Sequence, residues 1–469
     1  MIRQTFLRSV ATMFLASALF SCGDVKRPVE PVSRSYISRT GAAPAGLIPI
    51  AGGWVVDAQA VVVLKSNVAI SDFLTRNQLT QVVVVRVGQT DYILVERHGL
   101  PVDELVNSLR LQENDVESAD YNHALEAPEY EGTPMSFDDQ NGTLTSTNYN
   151  QQRFLGIIRQ PEALTVATGF GARVAILDTG VDAGHPGWSS PPTSMELGLD
   201  WTILPPGPRA EETADDVDQD GDGSPHEAHG HGTHVAGIVH LTAPGATLIP
   251  IRVLSDDGWG TSIGLAGGIV DAMTRQANII NMSLGLGQDV EIVRDAVDLA
   301  IQHGIGVVAS AGNSPSGIDQ YPASYHGVVS VTAVDRYDHV ASFANHGTRV
   351  RMSAPGVGVI SLYARAPGHG SYALGNGTSM AAPFAAGAAA LVLSNQDGLT
   401  GVVATEMVIN SSTPIDDLNP SVAGLIGHGR VDLRAPLQEE WVPLDPPDDE
   451  VFPSPSPSPS GYPTIKPKP

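Results

Sequence analysis

The chain has 469 residues, 42% of them hydrophobic and 16% charged, a balance that folds and leaves room for a small module beside one large domain. Its 26 Lys and Arg against 51 Asp and Glu give a net charge of −25, which repels phosphate backbones and anionic lipid faces and argues against nucleic acid as a partner. Cys22 is the single cysteine, so no intrachain disulfide can form and stability outside a cell has to come from packing, metal or slow unfolding.

Arg3 and Arg8 precede the apolar run Val10 to Phe20, the order of a secretory signal, and the run is too short to span a bilayer. Leu19-Phe20-Ser21-Cys22-Gly23 resembles a bacterial lipobox, in which Cys22 is lipidated and becomes the mature N-terminus, with Phe20 standing where that motif has a small residue. Ordinary signal cleavage near Ser21 is the alternative, and both place the chain outside the cytoplasm, held to the membrane or cell envelope by lipid in the first case. Residues 23–50, rich in Pro, Ser, Gly and Ala, read as a flexible tether.

Residues 51–126 carry strand patterns at Val61 to Leu64, Val82 to Val87 and Tyr92 to Val95, then a helix after Pro101 to Leu111 and a strand over Val116 to Asp120. These make a small α+β module. Residues 127–149 lack a buried-face pattern and read as an exposed linker where a processing cut belongs.

Between 150 and 439, apolar runs at Val174 to Leu177, Leu248 to Leu254, Ile279 to Leu284, Val307 to Ala309 and Val328 to Val334 alternate with helical periods. Ile263, Ala266, Val270 and Met273 form one such period; Val290, Val293, Val297 and Ile301, closed by Gly304, form another. Strands apolar on both faces imply a mostly parallel sheet covered on both sides, a doubly wound α/β domain. Residues 440–469, rich in Pro, Asp and Ser-Pro repeats, cannot bury enough to fold.

Asp178 follows the first apolar strand directly, at the carboxyl end where open α/β sheets place ligands. His231-Gly232-Thr233-His234 turns from a glycine-rich loop into a helix and offers a base. Gly377-Thr378-Ser379 introduces an Ala/Gly-rich helix, placing the Ser379 hydroxyl among free amides at its start. Taken singly, a strand-end Asp is often structural, Ser379 could be an N-cap, and spacing does not choose among His229, His231 and His234.

Together, Asp178-Thr-Gly-Val-Asp182, His231-Gly-Thr-His-Val-Ala-Gly237 and Gly377-Thr-Ser-Met-Ala-Ala-Pro383 resemble the three signature motifs of the subtilisin-like serine proteases, in that family's order. The resemblance spans about 150 to 436, ending with Gly429-Arg430-Val431-Asp432. It implies a secreted endopeptidase with polypeptide substrates and no organic cofactor, in which Ser379 attacks, His231 moves the proton and Asp178 orients the imidazole. It also implies an oxyanion donor at Asn313, a substrate-pairing strand at Ser283-Leu284-Gly285, and Gln320 at the base of a pocket that would favour a polar P1 side chain. The segment from Tyr92 to Asp120 resembles the second half of that family's inhibitory propeptides, which makes the module a partner of its own catalytic domain.

Asp216, Asp218, Asp220, Asp222 and Glu227, with Gly221 at the sixth place, have calcium-loop spacing and predict a structural Ca2+ ahead of His231; a solvated acidic loop is the alternative. Three other motifs lead nowhere. Asp178-Thr179-Gly180 fits the aspartic-protease triplet but has no second copy. Gly260-Thr-Ser262-Ile-Gly264 fits a nucleophile elbow but lacks a strand running into the serine. His226-Glu-Ala-His229 has its second histidine one place too early for a zinc helix. A catalytically silent relative that uses the cleft only to bind peptides is the rival reading.

Overall fold

A computed structural model describes residues 46–50, 53–127, 142–189, 193–212, 227–315, 319–365 and 370–438. The secretion signal with Cys22, the tether before 46 and the tail from 440 lie outside these residues.

The N-terminal module is an antiparallel sheet with two helices. Strands β1 (Leu47–Ile50) and β2 (Gly53–Leu64) are followed by α1 (Ile70–Asn77), β3 (Thr80–Val87), β4 (Thr90–Glu96), α2 (Val102–Arg110) and β5 (Val116–Glu126). Its strands alternate in the expected period of two. Ala60, Val62, Ile93 and Val95 face α1 and α2, where Phe73, Val102, Leu105, Val106 and Leu109 are buried. Val61, Val63, Tyr92 and Leu94 face the opposite way and share a core with the larger body. Each such side chain contributes roughly 1.5–3 kcal/mol when fully buried.

The module starts earlier than the composition suggested. Leu47 to Ile50 fall within the predicted tether, yet they pair antiparallel with Val56 to Gly53 as a hairpin whose apolar Ile48 and Ile50 pack on the module core. The predicted linker likewise ends early. Thr145 caps α3 (Ser146–Asn150) with a reciprocal Thr–Asn box, Leu144 is buried, and the buried Tyr149 hydroxyl donates to the Gly237 carbonyl at 2.6 Å, so residues 144–149 belong to the body.

The body continues with α4 (Arg153–Ile157), α5 (Gln160–Leu164), β6 (Arg173–Asp178), β7 (Ser194–Met195), α6 (His231–Thr242), β8 (Thr247–Arg252), β9 (Trp259–Thr261), α7 (Ser262–Thr274), β10 (Ile279–Met282) and α8 (Glu291–Gln302). Then come β11 (Gly306–Ser310), β12 (Val329–Val334), β13 (Met352–Pro355), β14 (Val359–Leu362), β15 (Tyr372–Gly375), α9 (Thr378–Asn395) and α10 (Gly401–Asn410). Seven strands form one parallel sheet in the order β13-β12-β11-β10-β6-β8-β7. Along β6, Val174 and Ile176 face the core of α6 and α9, while Ala175 and Leu177 face that of α7 and α8. The doubly wound α/β expectation holds, and burial on both faces accounts for the continuous apolar runs.

Helix α9 is buried from Thr378 to Val392, which explains its apolar residues on every side. Its alanines and glycines permit close packing: a Cβ on Gly387 would fall 2.6 Å from Thr242 Cβ on α6. Helix α6 in turn lies against the end of β6, where a Cβ on Gly232 would fall 2.1 Å from the Gly180 carbonyl oxygen. Gly232→Ala should therefore push α6 off the strand end, costing about 1–3 kcal/mol in chemical denaturation; unchanged stability would mean that the contact relaxes freely.

Candidate active site

Asp178 ends β6 and is buried; one of its oxygens accepts the Thr179 N–H at 2.8 Å and lies 2.7 Å from His231 Nδ1. That contact fixes the imidazole with its proton on Nδ1, which makes Nε2 the basic nitrogen of the ring. His231 opens α6 because Gly230 adopts φ +86° as its N-cap, and a Cβ there would meet the Tyr363 ring at 2.3 Å. His234, also buried, places Nε2 3.1 Å from the Ala373 carbonyl, and burial together with His231 drives its pKa down to about 3. It is a neutral packing residue, and His231 is the histidine that meets Asp178.

Ser379 is the second residue of α9. Four residues later stands Pro383, which has no N–H, so the Ser379 carbonyl loses its intrahelical partner. Ser283 supplies one: its hydroxyl donates to that carbonyl at 3.0 Å and accepts from Asn281 Nδ2 at 3.1 Å. The Ser379 hydroxyl lies 3.4 Å from the Ser283 carbonyl oxygen. The preceding residue is tied in the same way. Thr378 N–H and hydroxyl both donate to Asn313 Oδ1, at 2.9 and 3.0 Å, while Gly312 N–H donates to the Thr378 hydroxyl at 3.0 Å. Holding the carbonyl end of the Asn313 amide fixes the direction of its Nδ2 donors.

Gly285 exchanges two backbone hydrogen bonds with Glu126 of the module, at 3.1 and 2.9 Å, and Ala127 N–H donates to the Gly258 carbonyl at 3.1 Å. Strand β9 completes the far side by pairing Ala124, Leu125 and Glu126 with Thr261, Gly260 and Trp259. The last residues of the module thus lie as an extended strand between two backbone edges of the body. Leu284 is buried in the core behind that edge and has no open face toward the slot. Gln320 is buried with its amide filling the gap between two glycines: a Cβ on Gly285 would lie 2.4 Å from its Nε2, and one on Gly312 would lie 1.9 Å from its Oε1.

The acids Asp216, Asp218, Asp220 and Asp222 lie outside the described residues, and Glu227 stands in the turn before α6. Among the described residues no cluster of three or more His, Cys, Asp or Glu could hold a metal ion. Ser262 is the first residue of α7, preceded by the three-residue β9, and its hydroxyl donates to Asn122 of the module at 3.2 Å. That is a helix start beneath the module, not a nucleophile elbow.

Sequence reasoning missed Glu212. Its carboxylate accepts the Thr179 hydroxyl at 2.7 Å, the Thr233 hydroxyl at 2.5 Å and the Gly230 N–H at 2.6 Å. Burial, with Asp178 as a like charge nearby, pushes its pKa up to about 7 against those three donors. Its only sequence signal was a place just ahead of the acidic run, where it reads as one more solvated acid.

Ser283→Ala would leave the Ser379 carbonyl unpaired in a buried place, which costs about 1–3 kcal/mol. It should also lower turnover by roughly tenfold to a hundredfold, through displacement of the Ser379 hydroxyl. Wild-type kcat with an unchanged melting temperature would overturn the role given to that bond.

The sequence profile of the Subtilase family matches residues 169–429. Thermitase of Thermoactinomyces vulgaris is 34% identical over 260 residues, 53% of this chain and 83% of thermitase. Subtilisin Savinase of Lederbergia lenta is 34% identical over 268 residues, 55% of this chain and 90% of its own length. Among solved structures, the keratinolytic enzyme fervidolysin from Fervidobacterium pennivorans superposes with a TM-score of 0.66 at 22% identity, covering 85% of this chain and 65% of fervidolysin; at that identity the likeness speaks for the fold. With the profile matching more than half of its length, the chain belongs to the subtilase family and is a serine endopeptidase.

Proposed function

We propose that the chain is exported as a proenzyme and cleaves polypeptides through an acyl-enzyme formed on Ser379. Ser379 Oγ attacks the scissile carbonyl and its proton passes to His231 Nε2; Asp178, hydrogen-bonded to Nδ1, holds the ring and stabilises the imidazolium. The oxyanion takes hydrogen bonds from Asn313 Nδ2 and the Ser379 N–H. His231 then protonates the leaving amine, and water repeats the sequence to free the acid.

The observation that carries this reading is the strand Ala124 to Ala127, paired on one side with Gly285 and on the other with Gly258 to Thr261. A polypeptide substrate recognised by added-strand pairing would lie in the same slot. Residues 47–127 accordingly serve as an intramolecular inhibitor, severed from the body by a cut beyond Ala127. Gln320 favours a P1 side chain that can donate a hydrogen bond, because its buried Oε1 has no partner among the described residues.

A Ca2+ held by Asp216, Asp218, Asp220, Asp222 and Glu227 fits the hard, all-oxygen chemistry of that donor set and would steady the chain before α6 without entering the reaction. EGTA should then lower the melting temperature and added Ca2+ restore it; a melt indifferent to both would leave the acids as a solvated loop. Cys22 carries a lipid that keeps the enzyme on the cell envelope. Among the described residues no helix is long and apolar enough to cross a membrane.

Intact mass of the protein begun after Cys22, beside Ser379→Ala prepared in parallel, tests the whole. Loss of the module in the wild type alone is expected. Both proteins remaining full length, with no hydrolysis of peptide substrates by either, would favour the silent peptide-binding relative.

A further inference from the structure

We propose that Glu212 is a positioning residue for the hydrolysis: its carboxylate ties the strand end carrying Asp178 to the helix start carrying His231, and protonating it loosens that tie. The proposal rests on the reading of His231 and Asp178 as the catalytic base pair.

Three donors reach Glu212 from the two elements that must stay together. Thr179 follows Asp178 on the strand end, and its N–H donates to Asp178 Oδ1 at 2.8 Å. Its hydroxyl accepts the Gly232 N–H of α6 at 2.9 Å and therefore directs its own proton at Glu212 Oε1. Thr233 on α6 mirrors this arrangement. Its hydroxyl accepts the Asp182 N–H at 2.8 Å and directs its proton at Glu212 Oε2. Gly230, the N-cap residue of α6, adds its N–H to Oε1. Every proton in the ring points inward, so only the carboxylate satisfies all three.

A protonated Glu212 sets O–H against O–H. Its acid proton would occupy the line now used by the Thr233 hydroxyl, whose oxygen is already engaged by Asp182 N–H. The Thr233 oxygen can take the acid proton on its second lone pair, but its own proton then has to turn away unpaired, and the bonds holding the first turn of α6 to the strand end lose their charge assistance. Between these bonds sits the 2.7 Å contact of His231 with Asp178. Among the described residues, the charged groups around the ring do not hold Glu212 ionised. Asp178 on β6 is a like charge that raises its pKa. Asp182 is taken up by Arg365, at 2.5 and 2.7 Å. Glu211 faces Arg209 at 3.4 Å, and Arg252 on β8 donates to the Glu211 carbonyl. His231 on α6 points its Nδ1 at Asp178. Burial pushes Glu212 up to about 7, so its charge changes across the same range as an ordinary histidine.

The test compares mature wild type with Glu212→Gln and Glu212→Asp, following hydrolysis of a fluorogenic peptide and thermal melts from pH 5 to 9. The Gln amide places N–H where the acid proton would stand, mimicking the protonated state. For wild type the acid limb of kcat/KM should steepen toward two protons, from His231 and Glu212 together; for Glu212→Gln it should follow one proton. The variant's kcat should fall about tenfold with KM within twofold, and Glu212→Asp should recover part of the loss. The melts supply a readout that needs no activity. The folded state keeps a proton that the unfolded chain releases near the usual glutamate range, so wild-type stability should decline relative to Glu212→Gln as pH rises to about 7. A one-proton limb in wild type, or a Glu212→Gln variant with wild-type kcat and limb, overturns the proposal even should another variant fail to fold. An inactive wild type that still shows the stability difference would instead overturn the triad reading.

Discussion

The site depends on the register of three parallel strands. Leu177 of β6 lies level with Met282 of β10, and Met282 lies level with Ala309 of β11. One residue further on, Asp178, Ser283 and Ser310 therefore stand in a row at the carboxyl edge of the sheet, where side chains leave the hydrophobic layers. Helices α6 and α9, packed side by side on one face, bring His231 and Ser379 to that row at their N-termini. The separation of those helices is set by glycine, Gly387 of α9 facing Thr242 of α6, while Gly237 seats α6 on β14, where a Cβ would fall 2.3 Å from Ser361 Oγ. A sheet with one strand slipped, or a helix pair held apart by methyl groups, would keep the same residues and lose the constellation.

Around this frame, backbone groups that a regular helix leaves unpaired become the ties that hold the site. Pro383 orphans the Ser379 carbonyl, which turns to Ser283 on the neighbouring strand end. Thr378, at the first position of α9, has no intrahelical partner for its N–H and finds Asn313. Gly230 caps α6 with a glycine-only conformation and sends its N–H to Glu212. Two of these ties run directly from a helix start to a strand end and the third runs through Glu212, so the distances within the site are set by hydrogen bonds and not by packing alone.

Features that follow from local pattern were legible in the sequence. The buried parallel strands read as apolar runs, the amphipathic α8 read from Val290 to its closing Gly304, and the motifs named the residues now found at the strand and helix ends. What was missed depends on distant partners. Strand β13 ends in Pro355 with the sequence Met-Ser-Ala-Pro, poor in β-formers, and exists as an edge strand where a missing N–H is tolerated. Strand β9 is three residues long and is strand only because β5 of the module pairs with it. Hairpin β1 looked like tether because four residues are too few to display a period. Glu212 looked like a surface acid because no local feature announces the two threonines, 33 residues upstream and 21 downstream, that enclose it.

The edge that pairs with Glu126 carries an obligation that bears on inhibition. Gly285 presents a backbone donor and acceptor, and Gly258 a carbonyl, with no partner in the parallel sheet, so something extended must pair with them or water must. A three-residue stretch of antiparallel pairing is weak by itself, and it is common to substrate and module. The module differs in what lies behind that stretch: Val61, Val63, Val83 and Tyr92 close over α7 and α8, Tyr92 donates to Asp295 at 2.6 Å, and Asn122 accepts from Ser262 and Ile263 at the start of α7. Occupancy of the slot by the module thus rests mainly on a folded apolar face, which a short peptide lacks. Cutting the chain beyond Ala127 does not remove that face. Only unfolding or degrading the module does, so on the proposed reading the cut and the release of activity are separate events.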